Sequence, residues 1–361
     1  MLSRNSSRLI AGRAAGALAM TLLASTLALA GEQGDSQRSA LVLTSTNDPS
    51  GNRIAVFQLE TGGEPTLSLV QTLATGGMGG ASGNAGILQV EGDLGAVANY
   101  GSSSISQLVR AGDVVYVRGQ IPLAPGCLKP DSVALAHGQL FVAGAACVES
   151  HEWPSGALDG APVHLTDPSA AQISVGTTWG AVTMTSGSLL RVGLTRRGAL
   201  SGAAAPIPLP STANNTPLGE AFWGDILGFT PAHSPDSFAI VDAQRNVHPV
   251  AGPTPPFPAN APCWVAKGPG NLWYTANSPA HAISIFFSDS QGGVFYKSVP
   301  LPGAPTDITV SANGKWLAVI YAAGGSGYVS VFAIDRYGDL SPEATSGPIG
   351  VAGFSGVAIS Q

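Results

Sequence analysis

Charge is scarce in this chain. Asp, Glu, Lys and Arg make up 11% of its 361 residues, against ~25% in an average soluble domain. Long solvated helices need Lys and Glu on their outer faces, so a helical bundle is excluded. Cysteine is nearly absent, with only Cys127, Cys147 and Cys263. A chain of this size buries its own core, so disulfides are not needed for folding. Clusters of basic residues are also missing. Beyond residue 30 the only adjacent pair is Arg196-Arg197, and a polyanion surface needs many such groups to displace counterions. Nucleic acid is therefore not expected as a partner. No G-x-S-x-G elbow occurs, which removes the serine-hydrolase reading. The glycines of Thr75–Gly86 lack the Lys-Ser/Thr ending of a phosphate loop and read as a mobile surface loop. What the chain does have is 47 Gly and 27 Pro beside 44% hydrophobic residues. That combination favours many short strands joined by tight turns.

Residues 1–30 read as a secretory signal. Arg4, Arg8 and Arg13 precede an uncharged stretch from Ala14 to Ala30, and Ala28-Leu29-Ala30 is a small-x-small cleavage site. The competing reading is a retained anchor, at the lower limit of spanning length. Cleavage leaves 13 basic and 22 acidic residues, a net charge of −9. No later run is long and apolar enough to span a membrane. The expectation is a secreted or periplasmic protein, off the membrane after cleavage and monomeric. A polar tether over residues 31–39 would lead into a single domain over 40–361.

Four stretches share one pattern: Leu41–Leu59, Ala96–Val109, Leu272–Phe287 and Leu317–Ile334. Each is an apolar run, a small-residue turn, then a second apolar run, the pattern of a strand hairpin. Second-strand markers fall at Ile54, Ile105, Ile283 and Val329, with a fifth at Phe238. Their spacing matches the ~40–50 residues of a four-stranded propeller blade, so seven units fit. Leu189 and Val163 serve as the remaining, weaker markers, and their closeness leaves the boundary between blades 3 and 4 open. A further short strand precedes each later hairpin, in GNAGILQV, KPDSVALA, AAQISVG, LGEAFWG, APCWVAK and APTDITV. The first hairpin has no such strand before it, and the last strand, Ala352–Ser360, has no hairpin after it. The expected fold is an all-β, seven-bladed β-propeller closed by the C-terminal strand joining the N-terminal blade.

TNDPSGNRIAVFQL, PCWVAKGPGNLWYTAN and PTDITVSANGKWLAV, together with the hairpins, resemble the secreted seven-bladed lactonase-like propellers. That group is related to bacterial 6-phosphogluconolactonase and fungal carboxymuconate-lactonising enzymes. The resemblance implies a propeller that binds or hydrolyses a small lactone or cyclic ester, an activity that uses His, Arg and Glu side chains at the channel mouth. The alternative function is a non-enzymatic scaffold displaying loops for protein or glycan contacts.

Chemistry is expected on the face that carries the loops between blades. Cys147-Val148-Glu149-Ser150-His151-Glu152 is the densest cluster. His151 or Glu152 could serve as a general base there, against the plainer reading of a solvated loop. Glu220, between small and apolar residues of an inner strand, would be desolvated and shifted towards a useful base. Asn99, Trp264, Asn277, His281 and His233 complete the ligand-binding candidates, although Asn at a strand end also has a purely structural role. A metal site combining His151, Glu149 or Glu152 with His233 and His281 lacks any recognised spacing, so no metal and no cofactor is required. Cys127 and Cys147 are expected on one face as a disulfide pair, leaving Cys263 as an inert thiol.

Overall fold

The computed structural model describes residues 39–61, 63–80, 85–235, 237–253, 260–289, 292–350 and 353–361. The signal segment, Asn84 and Ala352 lie outside them. Among the described residues all 28 regular elements are strands, arranged in seven four-stranded antiparallel sheets. Blades 2 to 7 each run through the chain in order from inner to outer strand. Blade 1 takes its inner strand, Ser355–Ser360, from the C-terminus and pairs it with Ala40–Ser45. Leu41 faces Ser360, and Leu43 faces Ala358, in that antiparallel closure. The inner strands contact one another successively around a closed ring, blade 7 to blade 1 to blade 2. The expected seven-bladed propeller and its tail-to-head closure are therefore what this chain forms.

Burial explains why the hairpins were readable. Second strands such as Gln139–Gly144, Trp179–Met184 and Leu272–Asn277 are buried at every residue. A neighbouring blade covers each of their faces, so they read as continuous apolar or small-residue runs. Outer strands are covered on one face and alternate instead, as in Gly292–Pro300. Aromatic rings fill the gap between blades 5 and 6, where Phe238 packs on Trp273 and Phe286 at 5.6 and 4.9 Å. Each such buried side chain contributes roughly 1.5–3 kcal/mol.

Blades 3 and 4 correct two expectations. Val163 belongs to the two-residue outer strand Val163–His164, not to a third strand. The third strand of blade 3 is Cys147–Glu152, the segment whose plainer reading was a solvated loop. Its Val148 is the true counterpart of Leu189, which removes the irregular spacing. The described part of the Thr75–Gly86 glycine segment is not loose either. Gly77, Gly79 and Gly80 exchange backbone hydrogen bonds with the Asn47–Asn52 turn, and Thr75 is buried.

Candidate functional site: the channel ring and its bare carboxyl

Six of the seven inner strands break register with the second strand near their start. A bulge re-aims the side chain that follows it. The residues directly after these breaks are Ser132, Gln172, Glu220, Trp264, Asp307 and Val357, in blades 3, 4, 5, 6, 7 and 1. All but Ser132 line a channel cavity of about 220 Å³. In blade 5 the bulge needs a glycine, because a Cβ on Gly219 would stand 2.7 Å from the Cys263 carbonyl oxygen of blade 6. The cavity lining continues along later inner-strand residues, including Ala266, Lys267, Thr309 and Val310. These run towards the face opposite the one on which chemistry was expected.

Most polar members of this ring clasp the adjacent blade. Ser132 Oγ accepts the Ile173 amide. Gln172 donates to the Glu220 carbonyl at 3.0 Å and accepts the Glu220 amide at 2.8 Å. The Asp307 carboxyl accepts the Ile308 amide at 2.7 Å, and the amides of Val357, Gly356 and Gly86 from blades 1 and 2 lie close enough to act on its pKa. Burial still dominates there and pushes its pKa up to about 7, with the bonded Ile308 amide and the three nearby amides acting in the opposite direction.

Glu220 breaks the pattern. It is 1% exposed, and neither Oε1 nor Oε2 has a hydrogen-bond partner. Its pKa lies well above the usual carboxylate range because burial penalises the charge. Ser174 on the neighbouring inner strand offsets this in part, without reaching hydrogen-bonding geometry. An unpartnered buried carboxyl costs stability, so its retention in a cavity wall points to a use.

Lys267, at the far end of its inner strand, is the one cationic side chain among the described lining residues. Its ammonium donates to the carbonyls of Gly268 and Gly270 and lies over Trp223 and Trp273 at 4.9 and 5.3 Å. Partial burial pulls its pKa down to about 8. Trp264 lies in the lining, 6% exposed.

The other residues singled out from the sequence are elsewhere. His151 is 2% exposed, in the third strand of blade 3 and away from the channel. Its Nε2 meets Glu149 Oε1 at 2.9 Å and its Nδ1 meets the Gly156 carbonyl at 3.0 Å. Glu149 in turn accepts the Ala124 amide at 3.0 Å. This chain of bonds ties the blade 3 strand to the loop entering it. Glu152 is exposed at the strand end, where its carboxylate takes a long contact from Ser155. Neither residue is at the channel. Asn99 and Asn277 are fully buried and saturated. Asn99 joins Asn52, Thr75 and Ser106, and Asn277 joins Asn260, Thr275 and Ser284. These side chains splice strand ends to loops and offer nothing to a ligand. His233 and His281 are exposed, each in its own turn between second and third strands. They do not meet His151. No group of three or more His, Cys, Asp or Glu side chains suited to a metal occurs among the described residues. Cys127 and Cys147 form a disulfide with 5.5 Å between Cα atoms. Cys263 is a free thiol whose pKa burial pushes up to about 12, which makes it a poor nucleophile.

Sequence reasoning found Glu220 and Trp264 but missed Asp307, Gln172 and Ser132. A positional signal was present. Each follows a Pro or small residue by two positions at an inner-strand start, in P-D-S, A-A-Q and P-T-D.

No protein-family model matches the chain, and no curated protein matches it by sequence. Solved structures do match. A Lactobacillus plantarum protein superposes with a TM-score of 0.68 at 15% identity, over 90% of this chain and 99% of its own. The periplasmic gluconolactonase of Pseudomonas aeruginosa gives 0.62 at 15% identity, over 90% and 99%. A proposed 6-phosphogluconolactonase from Bacteroides fragilis gives 0.63 at 13%, over 91% and 99%. The chain has the lactonase-like seven-bladed propeller fold. At such identities the likeness is one of scaffold, so this chain's chemistry must be argued from its own channel.

Proposed function

We propose that this propeller hydrolyses a small, uncharged lactone in its channel, with Glu220 as the proton acceptor. The observation that carries the reading is the bare, buried Glu220 carboxyl in the wall of a cavity on a lactonase-type scaffold. Once ionised, a carboxylate with no competing donor is a strong base towards a water attacking the ring carbonyl. Lys267, the one cation of the described lining, would have to turn its ammonium from the Gly268 and Gly270 carbonyls to face the oxygen that becomes anionic. A phosphorylated or carboxylated substrate would bring its charge beside Glu220 and Asp307 with no arginine to receive it, so neutral lactones are the substrate class. Residues 1–30 would direct the protein to the periplasm or outside the cell, which N-terminal sequencing of the processed protein, starting at Gly31, would confirm.

One observation favours a second reading, a binding scaffold without turnover. No histidine or arginine lines the cavity among the described residues. A panel of neutral and phosphorylated five- and six-membered lactones separates the two. The enzyme reading expects ring opening of neutral lactones that rises with pH as Glu220 ionises and is lost in Glu220→Gln. Folded protein that opens no ring of either size would leave the scaffold reading.

A further inference from the structure

Between blades 6 and 7 lies a second cavity, of about 470 Å³, which shares no lining residue with the channel. Its walls are the turn Pro269-Gly270-Asn271, Leu272, Phe287, Tyr296, Arg336 and Tyr337. Two of these are tyrosines on neighbouring blades, 47% and 61% exposed for Tyr296 and Tyr337. We infer that this groove is a saccharide-binding site, in which Tyr296 and Tyr337 present ring faces to sugar rings.

The groove is rigid where it needs to be. Tyr296 packs T-shaped against Phe287, with 5.3 Å between ring centroids, and the Lys297 ammonium lies 5.3 Å from its ring centre. The Arg336 guanidinium lies 4.6 Å from the Tyr337 ring centre and donates to its hydroxyl at 2.6 Å. With Arg336 so placed, Tyr337 is still 61% exposed. The turn carrying Tyr337 is pinned by Asp335, whose carboxylate accepts the amides of Tyr337 and Asp339 at 2.8 Å each. Two contacts fix blade 6 to this turn. Lys297 pairs with Asp339 at 2.7 Å, and the Tyr274 hydroxyl donates to the Gly338 carbonyl at 3.0 Å. Exposed aromatic rings on a preorganised frame lose little freedom on binding.

The chemistry of the walls selects the occupant. Arg336 and Lys297 rim the tyrosines, which disfavours a cationic ligand for this aromatic pair. The backbone of both turns is bonded internally, Gly268 with Leu272, Leu272 with Pro269, and Asp335 with Asp339 and Gly338. An extended peptide that docks through main-chain hydrogen bonds finds few free partners there. What remains is flat aromatic surface edged by an amide, a guanidinium and phenolic hydroxyls. That suits a ring with apolar C–H faces and hydroxyls around its rim.

The test is calorimetric titration of the whole protein with hexasaccharides of glucose, N-acetylglucosamine and galacturonic acid, and with decaproline. At least one hexasaccharide should bind, with each of Tyr296→Ala and Tyr337→Ala weakening it about tenfold or more. Tyr296→Phe, which keeps the ring, should stay within about twofold of the parent. Tyr116→Ala, at a tyrosine of equal exposure outside the groove, should change nothing. Unaltered melting temperatures would show that the variants fold. Three results overturn the inference: no hexasaccharide binds, binding survives loss of both tyrosines, or only decaproline binds.

Discussion

Asp307 and Glu220 occupy the same place in two different blades, directly after the inner-strand bulge, and both carboxyls line one cavity. Asp307 accepts the Ile308 amide and faces three further amides, from blades 1 and 2, where the ring closes. Glu220 accepts none, although Gln172 of blade 4 bonds its backbone amide and carbonyl. Equal burial thus produces opposite roles. A buried carboxyl whose lone pairs are filled is architecture, whereas one left empty raises the energy of the fold and is available to a ligand.

The sharpest way to break this contrast is to remove both carboxyls in turn. Asp307→Leu removes the acceptor of the Ile308 amide and the carboxyl that three further amides of the closure face, and should cost about 3–5 kcal/mol, read as a lower denaturant midpoint. If it costs no more than a surface change, the clasp is not real. The pH dependence follows next in size. Asp307 is raised from 3.8 to about 7, so the folded state holds its proton more tightly than the unfolded chain. The stability it contributes is complete below pH ~4, falls as pH rises and is lost above the folded value, a change of about 4 kcal/mol. Asp307→Asn should flatten that part of the stability–pH curve. An unchanged slope between pH 4 and 7 would show that the group is not buried as described.

Glu220 should behave in the reverse way. Glu220→Gln, or Glu220→Leu, is expected to stabilise the protein by about 1–3 kcal/mol near neutrality while removing lactone turnover. Destabilisation instead would mean that the carboxyl is a clasp like Asp307. The smallest effect belongs to Ser174→Ala. Ser174 is the group that opposes the upward shift of Glu220, so its loss should move the pH–rate profile of a turning-over enzyme to higher pH. Stability should change by less than about 0.5 kcal/mol.

The contrast also marks how far the sequence could be read. Glu220 was visible because a lone acid among Gly, Ala, Phe and Trp in a strand can only be buried. Asp307 was passed over because P-T-D-I-T-V reads as an ordinary strand start. His151 and Glu149 misled for the opposite reason. Two acids and a histidine within four residues look like a solvated or catalytic loop, yet i, i+2 spacing in a strand places Glu149 and His151 on one buried face, bonded to each other.

By itself the sequence determined the short strands, their hairpin turns, the seven units and the return of the last strand to the first. These follow from local periodicity and turn chemistry, which act over a few residues. The tertiary structure alone decided which polar groups are satisfied. The side chain that bonds the Glu220 backbone comes from Gln172, 48 residues away, and the hydroxyl that accepts the Ile173 amide comes from Ser132, 41 residues away. Partners so distant along the chain are set by where neighbouring blades stop against each other, and close packing fixes that only once the ring is shut.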